Sequence, residues 1–254
     1  MPRASRFSIA PVRSLGLQHP TYIDLTGSGV VEDRRFFLRD PANRLIDRIV
    51  IGPLVQVAAD ADPDGMRLRL TFPDGSVIDD EVKLGKAVET PIYGRTGIGH
   101  VVEGPWGAAL SAFAGRVVEL VRCDHPGGTR RGHPASLISD GTVGELANHA
   151  GVEAVDARRF RMLIELEDAD PREEDTWIGR RIALGGAVLA VTKPVARCAI
   201  TTQDPDTGMR DLDTLRTIIA YRGLRDGKHA DMGVLADVVS PGRVSLGDEV
   251  MVLD

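Results

Sequence analysis

Cysteine is scarce in this chain of 254 residues: Cys123 and Cys198 are its whole complement. Two thiols cannot build a disulfide framework and suit a reducing compartment, although one long-range pair stays open on sequence grounds. Long apolar runs are missing as well. Nothing approaches the roughly 20 residues that a bilayer crossing needs, so no membrane partner is expected. The N-terminus carries Arg3, Arg6 and Arg13 before its first acid, Asp24, but lacks the apolar stretch of a secretory signal, and the expected location is cytoplasmic. Positive charge is not in excess either. Lys and Arg total 31 against 37 Asp and Glu, a formal charge of −6 with the two signs interspersed. Such a surface offers no track for a polyphosphate backbone, which argues against nucleic acid as a partner.

Familiar catalytic signatures are also absent. No Gly-x-Ser-x-Gly elbow supports a serine hydrolase, and Gly94, Gly97 and Gly99 beside His100 fall in the wrong order for a dinucleotide-binding loop, reading instead as a turn. No internal repeat or low-complexity segment occurs.

What is present reads mainly as short strands broken by turn residues. Met66, Leu68, Leu70 and Phe72 alternate with polar partners, then Pro73, Asp74 and Gly75 turn the chain before Val77 and Ile78, a hairpin pattern. A helix is predicted over Pro105 to Ala114 with Gly115 closing it, followed by a strand from Arg116 to Arg122. The glycine-rich stretch from Cys123 to Pro134 is expected to be an exposed connection and the domain boundary, and the acidic stretch from Glu165 to Asp175 a solvated loop. Thr142 and Glu145 have capping-box spacing before a short helix that carries Leu146 and ends at Gly151. Strand-like runs follow at Phe160 to Leu166, Ile182 to Leu184 and Ala187 to Thr192. A second helix fits Leu212 to Arg222, with Leu212, Leu215, Ile218 and Ile219 on one face and Gly223 as its stop. Closing strands are expected at Val234 to Val239 and Val244 to Leu253. Many strands and few helices argue for an α+β, mainly β protein: a small β-barrel with helical decorations and a smaller N-terminal β-rich domain, divided as 1–120 and 121–254.

Reactive chemistry concentrates at Cys198, between Arg197 and the polar run Thr201, Thr202, Asp204, Pro205, Asp206, Thr207, Gly208. A thiolate binds metal or attacks electrophiles, and a neighbouring guanidinium favours that charged form, so Cys198 is the leading metal-ligand candidate. The plain alternative is a small buried hydrophobe. Asp204 and Asp206 are candidate catalytic proton carriers, although Asp-Pro and Asp-x-Gly pieces also simply make turns. Cys123, His125 and His133 share one loop, but their spacing fits no common zinc motif and no fourth ligand is evident.

From Ala135 onward the segments ASLIS, RRFR, EEDTWIG, KPVARCAITTQDPDTG and SPGRVSLGDEV occur in the order found in the MOSC domain, the C-terminal domain family of molybdenum cofactor sulfurase, which the chain resembles. The earlier PVRSL from Pro11, DLTGSGVVEDRRFFL from Asp24 and RLIDR from Arg44 resemble its usual N-terminal β-barrel-like companion. The resemblance extends to the amidoxime reducing members of the family. It implies a molybdenum–molybdopterin cofactor, an N-hydroxylated small molecule as substrate, and reduction by electrons from a separate flavin, haem or iron–sulfur protein. The last expectation follows because the chain reaches Asp254 without a cysteine set for its own cluster. Within that resemblance Cys198 would be the protein ligand to molybdenum, Arg13, Ser14 and Arg34 would grip the cofactor phosphate, and Arg161 and Arg197 would line the pterin.

Three positions depart from the family pattern. Arg13 stands where lysine is common, Met162 and Leu163 where proline and asparagine usually follow the Phe-Arg pair, and Asp47, Arg48, Ile49 and Val50 where Thr-Ala-Arg-Gln is frequent. Two other functions are compatible with the same residues: a carrier of cofactor or of persulfide sulfur on Cys198, and a cofactor-free binding module.

Overall fold

The computed structural model describes residues 1–130 and 132–253. Its largest sheet has seven strands, in the order Arg3–Phe7, Ile164–Glu167, Ala135–Ser139, Asp231–Ser240, Ala187–Ala196, Arg181–Leu184 and Val250–Leu253. All neighbours are antiparallel except Ala135–Ser139 and Ile164–Glu167, which run parallel and are joined by a crossover containing the helix α1, Asp140–Ala150. The sheet curls until its ends meet. Ala4 N donates to Asp248 O at 2.9 Å, Gly247 N to Ala4 O at 2.7 Å and Val250 N to Pro2 O at 2.7 Å, so the outer edge of the first strand is bonded to the segment leading into the last. Closure of this kind removes exposed edges and encloses a core of Phe7, Leu137, Ile164, Ile182, Leu189 and Val234. The fold is thus mainly β with a curled barrel sheet, as the sequence pattern implied.

A five-stranded sheet follows the order Leu45–Ile46, Phe36–Arg39, Glu119–Cys123, Arg95–Glu103, Lys83–Ile92. Together with the three-stranded sheet Ala58–Ala61, Arg67–Thr71, Val77–Glu81 it surrounds a second core of Leu15, Phe36, Leu54, Leu70, Trp106 and Leu120. Residues 1–120 are proposed as one domain on the strength of this core. The strands Arg3–Phe7 and Tyr22–Leu25 nevertheless pair with Ile164–Glu167 and Gly242–Ser245 from the second half.

Several local expectations hold. The hairpin at 67–81 turns at Gly75, whose φ of 84° suits a residue without Cβ. The first helix in the chain runs Trp106–Ala114 and is closed by Gly115 at φ 64°. Others are corrected. Ser139, not Thr142, caps α1: its hydroxyl accepts from Thr142 N, while Glu145 pairs instead with Arg172 at 2.8 Å. The strand expected from Phe160 begins only at Ile164, because Phe160 ends a 3-10 turn and Arg161 takes a left-handed conformation. The helix Thr214–Arg222 buries Ile218 but leaves Ile219 exposed.

The acidic stretch is no solvated loop. Glu174 is fully buried, accepting from Ser139 Oγ at 2.6 Å and Thr142 Oγ1 at 2.9 Å, and thereby holds α1 against the turn at 173–177. Glu165 is also buried, paired with Arg6 at 3.1 Å, and burial pushes its carboxyl up to about 7. The Cys123–Pro134 connection is likewise packed rather than exposed, since Thr129 and Arg130 are buried; Arg131 lies outside the described residues.

Two predictions follow from these packed groups. A raised folded-state pKa means that the native protein holds a proton on Glu165 between about pH 4.5 and 7 that the unfolded chain releases, so stability falls as pH rises through this window. Glu165→Gln should flatten that dependence by roughly 1–3 kcal/mol in denaturant titrations at pH 5 and 8. Gly208 sits at φ 74°, and a Cβ there would lie 2.0 Å from Gly52 O. Gly208→Ala should therefore lower the unfolding free energy by about 2 kcal/mol or more, measured by the same titration.

Candidate functional site

Two N-terminal segments are stitched together by backbone bonds. Arg34 N donates to Ala10 O at 2.7 Å, Phe36 N to Pro11 O at 2.9 Å and Arg13 N to Phe36 O at 2.7 Å. The carboxylate of Asp33 reinforces the seam: it accepts from Ala10 N at 2.9 Å, from Arg34 Nη1 at 2.7 Å and from Arg130 Nε at 3.1 Å. Burial alone would raise this acid, but Arg34 and Arg130 outweigh that effect and hold it below the usual carboxylate range. Thr129 adds a third clasp, its hydroxyl bonding Arg34 O at 3.2 Å and its carbonyl accepting from Arg13 Nη1 at 2.6 Å. Arg13, Ser14 and Arg34 are thereby brought to one corner.

Cys198 approaches from the barrel. It follows the strand Ala187–Ala196 and caps a 3-10 turn over Ala199–Thr202, with Thr201 N and Oγ1 both donating to its carbonyl at 3.1 Å. The side chain is partly exposed, whereas Cys123 is fully buried and its thiol is pushed up to about 12 by burial. Of the two thiols, Cys198 is the one within reach of a ligand. Both cysteines are free, so the long-range disulfide left open by the sequence is not formed. Among the described residues no cluster of His, Cys, Asp and Glu is arranged for a metal, which disposes of the Cys123, His125, His133 set; His133 bonds Asp237 at 2.9 Å.

All six expected cofactor residues line one cavity of about 180 Å³: Arg13, Ser14, Arg34, Arg161, Arg197 and Cys198. Three of them share an unusual backbone. Ser14, Arg34 and Arg161 have φ of 76°, 56° and 51°, in the left-handed region that residues with a Cβ seldom occupy, and Tyr93 on the same wall has 47°. Such conformations persist only where surrounding contacts over-determine them, and they gather at functional sites.

The wall is strongly cationic. Arg48, Arg130 and Arg159 join the four arginines already named, and each was missed from sequence. The Asp33 carboxylate is shared by Arg34 and Arg130, and Asp211 is taken bidentately by Arg159 at 2.5 and 2.6 Å. Arg48 and Arg161 have no such carboxylate among the described residues. Arg161 donates to Leu15 O at 2.9 Å while its buried Nη1 finds no partner there. Burial and the nearby guanidiniums of Arg48, Arg34 and Arg13 push it well below the ordinary arginine range. Unsatisfied buried donors beside uncompensated charge suit an anion, and a thiol on the same cavity is chemically able to ligate a soft metal. Phosphate-bearing, sulfur-liganded cofactors fit both requirements.

Two expectations are revised. Arg197 is a brace: it donates to Met232 O at 2.8 Å, Phe160 O at 3.2 Å and Met162 Sδ at 2.9 Å, and packs over the Phe160 ring at 5.1 Å. Burial lowers its pKa to about 10. Asp204 and Asp206 do not line the cavity. Asp204 Oδ1 accepts from Asp206 N, Thr207 N and Thr207 Oγ1, folding the DPDTG loop on itself, while Asp206 pairs with Arg158 at 2.8 Å.

Comparison with known proteins decides the family. The MOSC domain model matches residues 124–251, half of the chain. The chain belongs to the MOSC domain family. It is 30% identical over 127 residues to the human mitochondrial amidoxime-reducing component 1, covering 47% of this chain and 37% of that protein. It is 29% identical over 125 residues to the bovine mitochondrial amidoxime reducing component 2, covering 46% and 36%. The MOSC chain thus spans little more than a third of the curated relatives it matches. Among solved structures, the YUAD protein from Bacillus subtilis aligns over 99% of this chain and 96% of its own, at 15% identity and a TM-score of 0.47. No helix among the described residues is long and apolar enough to cross a membrane.

Ser14 offers a direct test of the strained corner. Ser14→Gly should leave the unfolding midpoint unchanged or raise stability by up to about 1 kcal/mol, because glycine accepts the left-handed backbone without penalty. The same variant should bind inorganic phosphate more weakly in calorimetric titration, since the hydroxyl is lost.

Proposed function

We propose that this MOSC protein is a molybdenum-cofactor oxidoreductase that reduces N-hydroxylated small molecules with electrons from a separate donor protein. The observation that carries the reading is the convergence of Cys198 and the left-handed Ser14, Arg34 and Arg161 on one cationic cavity. Names of the mammalian relatives supply the substrate class.

When bound, a molybdenum–molybdopterin cofactor supplies two-electron redox chemistry: a substrate N–OH takes up two electrons and two protons, its N–O bond breaks, and the oxygen leaves as water. The chain's own residues hold and orient. Cys198 would provide the protein thiolate, a ligand whose partial exposure leaves room beside it. Arg13, Ser14 and Arg34 would bind the phosphate, with Thr129 O and the Asp33 carboxylate each holding one guanidinium nitrogen, of Arg13 and of Arg34 respectively. Arg161 would face the pterin with its Nη1, which has no partner among the described residues. Arg197 acts indirectly, locking Phe160 and Met162 in the wall. Met162 and Leu163 make that part of the wall apolar, and Leu163 N donates to Ser136 Oγ at 3.0 Å.

Cys198→Ala should abolish molybdenum-dependent amidoxime reduction, by at least about a hundredfold in kcat, while circular dichroism and unfolding midpoint stay near wild type. Arg34→Ala should lower molybdenum content after dilution and gel filtration more than it lowers turnover per bound metal. A cysteine variant of undiminished activity would overturn the ligand assignment. Protein that carries persulfide on Cys198 but no molybdenum would make it a sulfur carrier instead.

A further inference from the structure

Arg48 is the most buried charged side chain on the cavity wall, at 1% exposure, and nothing in the family resemblance gives it a task. Its backbone is fixed from two sides. Val50 N and Ile51 N donate to Asp47 O at 3.0 and 2.9 Å, Ile49 N donates to Asp47 Oδ1 at 2.9 Å, and Gln203 Nε2 donates to Arg48 O at 2.8 Å. Tyr93 Oη also bonds the Asp47 carboxylate. The loop can approach the DPDTG turn this closely only because Gly52 and Gly208 face each other without side chains.

The guanidinium that this framework delivers is nearly unserved. Nε and Nη1 have no hydrogen-bond partner among the described residues, and Nη2 reaches only the carbonyl of Asp204, at a long 3.4 Å. The Asp204 carboxylate is the acid that acts on it most strongly, yet it forms no ion pair with it: one oxygen is spent within its own turn and the other lies 4.0 Å from Arg159. Arg159 in turn is matched by Asp211. Arg48 feels the charges of Asp204, Arg159, Cys198 and Asp47, and Arg161 those of Arg48, Arg34, Asp33 and Arg13. Gln203, which holds Arg48 O, ends the 3-10 turn that Cys198 begins, so the Arg48 loop is tied to the thiol-bearing turn. A buried cation without an ion-pair partner is costly to a fold unless a ligand compensates it.

We infer that Arg48 forms a second oxyanion subsite beside Cys198, apart from the Arg13, Ser14, Arg34 corner, and that the physiological substrate carries a carboxylate or comparable oxyanion. The substrate half of this inference rests on the reductase reading; the subsite itself does not. Arg48 supplies a full charge and free N–H donors in a desolvated place, the arrangement that discriminates an anionic ligand from its neutral analogue.

The test pairs binding with turnover. In calorimetric titrations of the purified protein, benzoate should bind wild type and bind Arg48→Met at least tenfold more weakly, with benzamide binding neither measurably. Arg48→Lys, which keeps the charge, should recover part of the affinity. Arg34→Gln should weaken inorganic phosphate more than benzoate. Cofactor-free Arg48→Met should be at least as stable to urea as wild type, because an uncompensated charge is removed; a purely structural arginine would give the opposite result. With molybdenum-loaded enzyme, the ratio of kcat/KM for 4-carboxybenzamidoxime over benzamidoxime should fall at least tenfold in Arg48→Met, through KM. Equal benzoate affinity in wild type and Arg48→Met, or loss of phosphate and benzoate together in both arginine variants, overturns the separate subsite. Arg48-dependent benzoate binding by a protein that reduces neither amidoxime overturns the reductase reading and leaves the subsite standing.

Discussion

The site depends on one buried carboxylate. Asp33 receives a backbone N–H from the Ala10 segment, a guanidinium from its own neighbour Arg34 and another from Arg130 in the long connection, so three stretches distant in sequence meet at two oxygen atoms. Removing one partner from such a buried set is expected to be strongly destabilising, since the remaining charges stay desolvated. What this junction secures is conformation rather than affinity. With Ala10, Asp33 and Arg130 tied together, Ser14 and Arg34 are held in left-handed backbone conformations that they would not choose alone.

Around that junction the charge is deliberately unbalanced. Asp33 and Asp211 answer Arg34, Arg130 and Arg159, but Arg48 and Arg161 remain without carboxylates among the described residues. The two cores fix this imbalance in place, because the Arg48 loop grows from the N-terminal sheet and the Cys198 turn from the barrel. A cavity assembled from both halves of the chain can join a thiol to a cationic wall. The second half brings Cys198 with Arg130, Arg159, Arg161 and Arg197, and the first adds Arg13, Ser14, Arg34 and Arg48.

Much of the fold was legible because it is local. The 67–81 hairpin, the helix ending at Gly115 and the stop at Gly223 each follow from periodicity and glycine placement within a few residues. The failures are contacts that only the folded chain creates. Glu165 and Glu174 look like surface acids until Arg6, and Ser139 with Thr142, arrive from elsewhere. Arg3–Phe7 joins the distant strand Ile164–Glu167, a pairing that carries no turn signal.

The site divides in the same way. Cys198 announced itself by its polar flanks, and Arg13, Ser14 and Arg34 came through family resemblance. Arg197 lines the cavity, but its donors turn to protein acceptors that no spacing could reveal. Arg48 was visible only as a departure from the family pattern, although Asp47-Arg48 repeats the Asp33-Arg34 pair and that repetition was the available signal. Molybdenum-edge X-ray absorption on freshly purified protein tests the account most directly. It predicts bound molybdenum whose sulfur coordination falls by one neighbour in Cys198→Ala; folded wild-type protein without molybdenum, or an unchanged sulfur count in the variant, would contradict it.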